Sequence, residues 1–190
     1  VASVKCKAEP GVVNGKQGFL INGAKAWCTF AGRANIIALL ARTNQDGKSG
    51  ARGLSLFVVE KDSFSGHDFE MRQPTGGVLT GHAIPTLGYR GMHSYVLSFD
   101  NYFAPAENLV GEEGGLHKGF YLQMAGFADG RLQTGGRATG LAQAALEVCS
   151  VYANERKQFG DALGDFQLAQ YKLGRMATHI AAARQLTYAA

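Results

Sequence analysis

The sequence predicts an α+β chain: an antiparallel β-barrel or sandwich domain over residues 1–104, then the first helices of an up-down helical bundle over residues 105–190. Three observations lead there. Short apolar runs bounded by Gly-rich turns recur up to Asp100 with hardly any helical period. Beyond Gly111, apolar residues return every three or four positions, the spacing of one helical face. The two textures are segregated along the chain rather than alternating, which separates α+β from α/β.

In chain order, residues 1–8 alternate like a strand. Asn14-Gly15, between runs at 4–8 and 19–22, is a hairpin signal, because both residues tolerate positive φ. Residues 35–42 and 53–60 are nearly continuous apolar runs of strand length, predicting strands buried on both faces; the polar, Gly-rich 44–50 between them reads as a loop. Residues 94–100 place Tyr95, Leu97 and Phe99 on one face of a further strand. Residues 71–91, rich in glycine and holding Pro74 and Pro85, read as a loop. Its Gly76-Gly-Val-Leu-Thr-Gly81 has half the spacing of a phosphate loop, but His82 stands where lysine belongs. Residues 87–93 set Tyr89, Arg90 and His93 among glycines that allow close approach, either as a structured turn or against a ligand.

Leu116, Phe120, Met124 and Phe127 begin a helical face that continues through Leu141, Ala145, Val148 and Tyr152. Glu112-Glu113 falls at its expected start, where negative charge suits the helix dipole. Gly119, Gly126, Gly130, Gly135, Gly136 and Gly140 interrupt it, each costing roughly 1 kcal/mol against alanine. Such a run predicts close approach of another helix or a ligand. The helix is expected to stop at Gly160, and a second to run from near Phe166 to the end.

Composition excludes several functions. The 46% apolar content suffices for a core, and the net charge of +4 is spread along the chain, which disfavours nucleic-acid binding. Cys6, Cys28 and Cys149 are far apart and form no CxxC pair, so neither a disulfide framework nor a zinc site is expected, and a reducing compartment is. The five histidines are isolated, no GxSxG or GxGxxG motif occurs, and no apolar run is long enough to span a bilayer. Both ends read as cuts: the first residues lack an initiator Met or targeting segment, and the last lack a helix cap. A piece of a longer protein is expected.

Residues 24–31 hold the only tryptophan, Trp27, with Thr29 two positions on. An indole beside a hydroxyl can floor a flat ligand, or can be a core residue near a threonine; both readings stand on the residues alone. Arg131, near Asp129 and Arg137 in the Gly-rich helix, offers a planar cationic fork to a phosphate or carboxylate, or to a salt bridge.

Four segments together carry a resemblance: Asn22-Gly-Ala-Lys-Ala-Trp-Cys-Thr29, Phe127-Ala-Asp-Gly-Arg131, Glu155-Arg-Lys-Gln-Phe-Gly160 and Phe166-Gln167. The chain resembles the acyl-CoA dehydrogenases over nearly its whole length, from inside the middle β domain into the first helices of the C-terminal domain. The resemblance implies FAD as cofactor, an acyl-CoA substrate, electron-transfer flavoprotein as acceptor, and a homodimer or homotetramer with shared sites. It implies that Trp27, Cys28 and Thr29 lie against the flavin, with the Thr29 hydroxyl bonded to N5. Arg156, Gln158, Phe159, Phe166 and Gln167 match contacts to the FAD of a neighbouring subunit, and Phe127, Asp129 and Arg131 match the acyl-CoA site. The family's usual acidic residue three before the arginine is Ala128 here, and Asp129 sits on a different azimuth.

The implied reaction is α,β-desaturation of the thioester, a carboxylate taking the α-proton as the β-hydride passes to flavin N5. A minority of members place that glutamate immediately before the matched arginine; here it is Gly130, so the base is expected after Ala190 and these residues alone are expected to be inactive. The longer segment at 76–84, with Met92-His93, resembles members acting on branched dicarboxylic substrates, such as methylsuccinyl-CoA dehydrogenase. Other relatives use oxygen directly (acyl-CoA oxidases, nitroalkane oxidases, flavin monooxygenases) and form the alternative, as does a non-catalytic FAD-binding member. The implied compartment is a bacterial cytoplasm or a mitochondrial matrix.

Overall fold

The fold is known as a computed structural model that describes residues 3–46, 48–88 and 91–190. It divides into two compact units, 1–124 and 125–190.

The first unit is one seven-stranded sheet. Its strands are β1 (Lys7–Val13), β2 (Lys16–Thr29), β3 (Ile36–Arg42), β4 (Leu54–Glu60), β5 (Asp68–Arg72), β6 (Val78–Ala83) and β7 (Ser94–Pro105), in the order β4-β3-β1-β2-β7-β6-β5. Every pairing is antiparallel except the short parallel contact of β1 with β3. Asn14 (φ 51°) and Gly15 (φ 77°) close the β1–β2 hairpin as two left-handed residues, the geometry that Asn-Gly favours. The sheet curls, so that Tyr102 on β7 donates a hydrogen bond to the Glu60 carbonyl of β4, a strand it does not pair with. Ile21, Leu39, Phe57, Leu79 and Leu97 fill the enclosed core.

Several expectations are corrected here. The first strand occupies 7–13 rather than 4–8. The segment 71–91 is not a loop throughout: it contributes the end of β5 and all of β6, which pair through the turn around Gly76. The strand was hidden because an inward position is Gly81, where a Cβ would lie 2.1 Å from the Phe69 ring. That glycine makes room for the aromatic and erases the apolar alternation. β3 is buried only from Leu39 to Ala41, and Ile36 is exposed. Tyr89 and Arg90 of the 87–93 segment lie outside the described residues.

Glu112-Glu113 opens a separate four-residue helix, α1 (Glu112–Gly115), rather than the long one. The chain then turns at His117 (φ 66°), whose amide donates to the buried Ser55 Oγ at 2.8 Å. Thr43 Oγ1 lies 2.7 Å from Ser55 Oγ and 3.0 Å from His117 Nδ1, closing a polar knot. Beside it Gly119 rests on the backbone of Ser55 and Leu56, with no room for a Cβ.

Gly119 begins α2 (Gly119–Glu155), most of which belongs to the second unit. The helix ends at Glu155, not Gly160, because 157–162 form a two-stranded hairpin, β8 (Lys157–Gln158) and β9 (Asp161–Ala162), turning at Phe159 (φ 55°) and Gly160 (φ 98°). A 3-10 turn over Leu163–Asp165 leads into α3 (Gln167–Ala189). Gly135 meets the Thr187 side chain at 3.1 Å, and Arg184 donates to Gln143 at 2.9 Å. Close approach therefore explains Gly119 and Gly135, whereas a Cβ at Gly126, Gly130, Gly136 or Gly140 would meet open space.

Burial pushes the Cys6 thiol from the ordinary 9.0 to about 11, partly offset by the Lys25 charge, and raises the Cys28 thiol. Burial likewise lifts the Tyr102 phenol from 10.0 to about 12. These groups keep their protons when folded and lose them when unfolded, so their stabilisation is full below the ordinary values and lost as pH rises through the folded ones. Burial lowers the Lys61 ammonium, which acts with the opposite sign but is a single group. The urea midpoint should therefore fall between about pH 9 and 12, and Cys6→Ala should make that fall shallower.

Candidate functional site

The end of β2 carries the predicted flavin-facing residues, and its geometry is irregular in a specific way. Opposite β7, Lys25 pairs with Leu97 but Cys28 pairs with Tyr95, so β2 holds one residue more than its partner. This is a β-bulge. Within it Trp27 adopts φ 61°, a left-handed conformation that bulky residues rarely occupy. The twist turns the indole out of the sheet, leaving it 66% exposed. Trp27 is therefore not a core residue among the described residues. Such backbone strain costs roughly 1–3 kcal/mol and persists where the surroundings enforce it.

Past the bulge the strand is pinned again. Thr29 pairs with Ser94, their hydroxyl oxygens 3.1 Å apart, and Phe30 (φ 66°) donates its N–H to the His93 carbonyl at 2.8 Å. Either hydroxyl can donate to the other, so one hydrogen of the pair remains free for a ligand. The half-buried Cys28 thiol, its pKa raised by burial, is neutral at neutral pH and offers no nucleophile. The residues around this stretch that sequence reasoning missed are Ser94 and His67, whereas His93 belongs to the 87–93 segment already singled out. The His67 and His93 rings lie 4.5 Å apart at a cavity of about 440 Å³ also lined by Ala83, Ile84 and Thr86. Ser94 follows from pairing β2 with β7 in register; His67 carried no signal, since its contact arises from the unforeseen β5–β6 hairpin. A larger cavity of about 850 Å³, between the β1–β2 hairpin and residues 106–116, contains none of the predicted site residues.

In the second unit, Arg156, Gln158 and Phe159 lie just before, on and after β8, and Phe166 and Gln167 at the start of α3. The Arg156 backbone is fixed on both sides, its N–H on the Tyr152 carbonyl (2.9 Å) and its carbonyl taking the Leu163 N–H (2.8 Å). Phe159, at the tip, is 95% exposed. Phe166 caps α3, its carbonyl accepting from the amides of Ala169 and Gln170. A guanidinium, an amide and two exposed rings thus sit on a short, backbone-anchored segment. On α2, Phe127 and Arg131 are one turn apart on a shared face, while Asp129 points to the other side; all three are exposed. Among the described residues, no cluster of His, Cys, Asp or Glu could hold a metal ion.

The sequence profile of the acyl-CoA dehydrogenase middle domain matches residues 4–102, and that of the C-terminal domain matches 117–190. The chain belongs to the acyl-CoA dehydrogenase family. It is 46% identical over 170 residues to (2S)-methylsuccinyl-CoA dehydrogenase of Cereibacter sphaeroides, covering 90% of this chain and 30% of that protein. It is 38% identical to the mitochondrial isovaleryl-CoA dehydrogenase of Oryza sativa subsp. japonica, over 99% of this chain and 41% of the relative. The chain thus spans well under half the length of both curated relatives. Among solved structures, butyryl-CoA dehydrogenase of Megasphaera elsdenii superposes with a TM-score of 0.81 at 29% identity, over 98% of this chain and 44% of that one. A Bacillus anthracis acyl-CoA dehydrogenase complexed with FAD superposes with a TM-score of 0.74 at 26% identity, over 97% of this chain and 28% of that one.

Because Trp27 lies outside the core, Trp27→Ala should cost less than about 1 kcal/mol, against the 3–5 kcal/mol of a buried tryptophan. Trp27→Gly, which relieves the left-handed strain, should be no less stable than Trp27→Ala. Urea titration of both variants checks this, and a loss above about 3 kcal/mol in either would return Trp27 to a core role.

Proposed function

We propose that this chain is the FAD- and acyl-CoA-binding part of an acyl-CoA dehydrogenase that desaturates the α,β bond of a CoA thioester and passes electrons to an electron-transfer flavoprotein. The observation that carries the reading is Trp27 held outward by the β2 bulge with the Thr29–Ser94 hydroxyl pair beside it. A flat ring system bearing acceptor nitrogens fits a fixed indole and a directed O–H donor. The segment of Arg156, Gln158 and Phe159 fits the other end of an FAD held by a neighbouring subunit: a guanidinium for a pyrophosphate, an amide and a ring for adenine. When bound, FAD supplies the two-electron acceptor for the substrate's β-hydride.

On this reading Trp27 covers the ring face and Thr29 donates a hydrogen bond to N5, favouring negative charge there. Cys28 sits between them as packing. Arg156, Gln158, Phe159, Phe166 and Gln167 reach toward the FAD of a neighbouring subunit, so the working form is a homodimer or homotetramer. Phe127, Asp129 and Arg131 line the acyl-CoA site, Phe127 and Arg131 from one helix face. Gly130 supplies no carboxylate at the position some relatives use, and the resemblance to the family places the general base in another part of the full-length protein. The substrate class is a branched or dicarboxylic acyl-CoA, supported by the 46% identity to a methylsuccinyl-CoA dehydrogenase. No helix among the described residues is long and apolar enough to cross a membrane. The proposed compartment is a bacterial cytoplasm or a mitochondrial matrix, the latter supported by a mitochondrial relative.

Anaerobic addition of methylsuccinyl-CoA to the full-length FAD-loaded protein should bleach the flavin absorbance faster than butyryl-CoA does, with slow re-oxidation in air. Thr29→Val should slow the bleaching by about 10-fold or more, the cost of one charge-assisted hydrogen bond. Failure to retain flavin would refute the reading, and re-oxidation by air at the rate of turnover would move the protein to the oxygen-using class.

A further inference from the structure

Lys61, directly after β4, is 5% exposed, and no carboxylate bonds its ammonium. Nζ instead donates to three backbone carbonyls: Gly32 at 2.8 Å, Ala34 at 2.7 Å and Asp62 at 2.5 Å. Three donors meet three acceptors, which exhausts the capacity of the group. The Phe64 and Phe69 rings lie 5.1 and 4.9 Å from the same nitrogen. A buried ammonium is costly unless fully bonded, and an apolar residue would ordinarily serve a core better. Its position explains the exception. Residues 30–34 form the irregular turn that follows Thr29, and two of the three carbonyls that Lys61 binds belong to it.

We infer that Lys61 is a positioning residue: by holding the 30–34 turn through the Gly32 and Ala34 carbonyls, it sets where Trp27 and Thr29 stand. The mechanical path is short. The Gly32 carbonyl also takes the Phe64 N–H at 2.9 Å, and the Lys61 N–H bonds the Asn35 carbonyl at 2.9 Å, so the turn is tied to the 61–64 segment at several points. From the other side the Tyr95 hydroxyl fills the space of a Cβ at Gly32, only 2.4 Å away. Within the turn, the amides of Arg33 and Ala34 both bond the Phe30 carbonyl at 3.1 Å, and the Ala31 amide bonds that of Cys28 at 3.4 Å. A shift of residues 32–34 is thereby passed to Phe30, whose left-handed backbone fixes the exit direction of Thr29. Burial also lowers the pKa of this ammonium, in keeping with a group enclosed by neutral acceptors.

The consequence for cofactor binding rests on the FAD reading above; the consequence for Trp27 itself does not. Lys61→Met keeps the stem and removes all three donors, and Ser55→Ala, in the polar knot at the other end of β4, serves as a control for lost stability. Trp27 is the only tryptophan of the 190 residues, so in the full-length protein with any tryptophan outside them replaced by phenylalanine its fluorescence anisotropy and emission maximum report on the turn directly. In the FAD-free protein, Lys61→Met should lower the anisotropy and shift the emission while Ser55→Ala leaves both unchanged. With FAD, Lys61→Met should weaken binding by about 10-fold, the equivalent of one positioned hydrogen bond. Lys61→Gln, which retains two N–H donors, should fall between the parent and Lys61→Met, and it carries the test should Lys61→Met not fold. If the Lys61 variants alter Trp27 no more than Ser55→Ala does, Lys61 is merely a stabilising residue and the inference is wrong. If the parent binds no FAD, the functional reading fails while the anisotropy comparison still decides the role of Lys61.

Discussion

The structure of the first unit depends on the pairing of β2 with β7. These are its two longest strands, they lie at the centre of the sheet order, and each carries a hairpin partner on its far side. β2 brings the β1 hairpin and, through β1, the β3–β4 pair; β7 brings β6 and β5. The same pairing builds the candidate site, because its register is not uniform. One extra residue on β2 turns Trp27 outward, and register is then restored so that Thr29 faces Ser94. A regular ladder of equal length would have alternated the side chains across the two faces with no residue left to twist away. Core and site are thus two outcomes of one interaction, the site arising from the second of its two register shifts.

The β half was legible where alternation and turn chemistry agreed. Asn14-Gly15 located a hairpin, and Tyr95, Leu97 and Phe99 proved to be one buried face. It was illegible where packing called for glycine. Gly81 gives its place to Phe69, so a strand position that would normally announce itself with a branched side chain has none. The β8–β9 hairpin was hidden differently: two residues per strand are too few to show a period, and Gly160 looks the same in a hairpin turn as at a helix end. The break at 116–118 escaped notice because Leu116 keeps the helical spacing while His117 leaves the helix in its backbone alone.

The candidate site was legible as a set of residues rather than as a geometry. Trp27 and Thr29 could be named from their motif, but their exposure depends on a bulge that no local residue announces. Lys61 was invisible for a different reason. A lone lysine after an apolar strand reads as a solvated end, and only the folded turn reveals three carbonyls converging on its amine. Polar groups that serve the backbone of a distant segment leave no trace in spacing or composition, since their partners are carbonyls that every residue possesses.

The hydroxyl pair of Thr29 and Ser94 has one property that a single donor lacks. Either oxygen can give its hydrogen to the other, so two O–H bonds can rotate in concert and reverse the polarity of the pair without moving a heavy atom. The face presented outward changes from donor to acceptor by that rotation alone. A ring nitrogen that is a lone pair when oxidised and an N–H when reduced would meet a matching partner in both states. The same two side chains would then accompany a redox cycle in both directions, at the cost of a rotor flip instead of a loop movement.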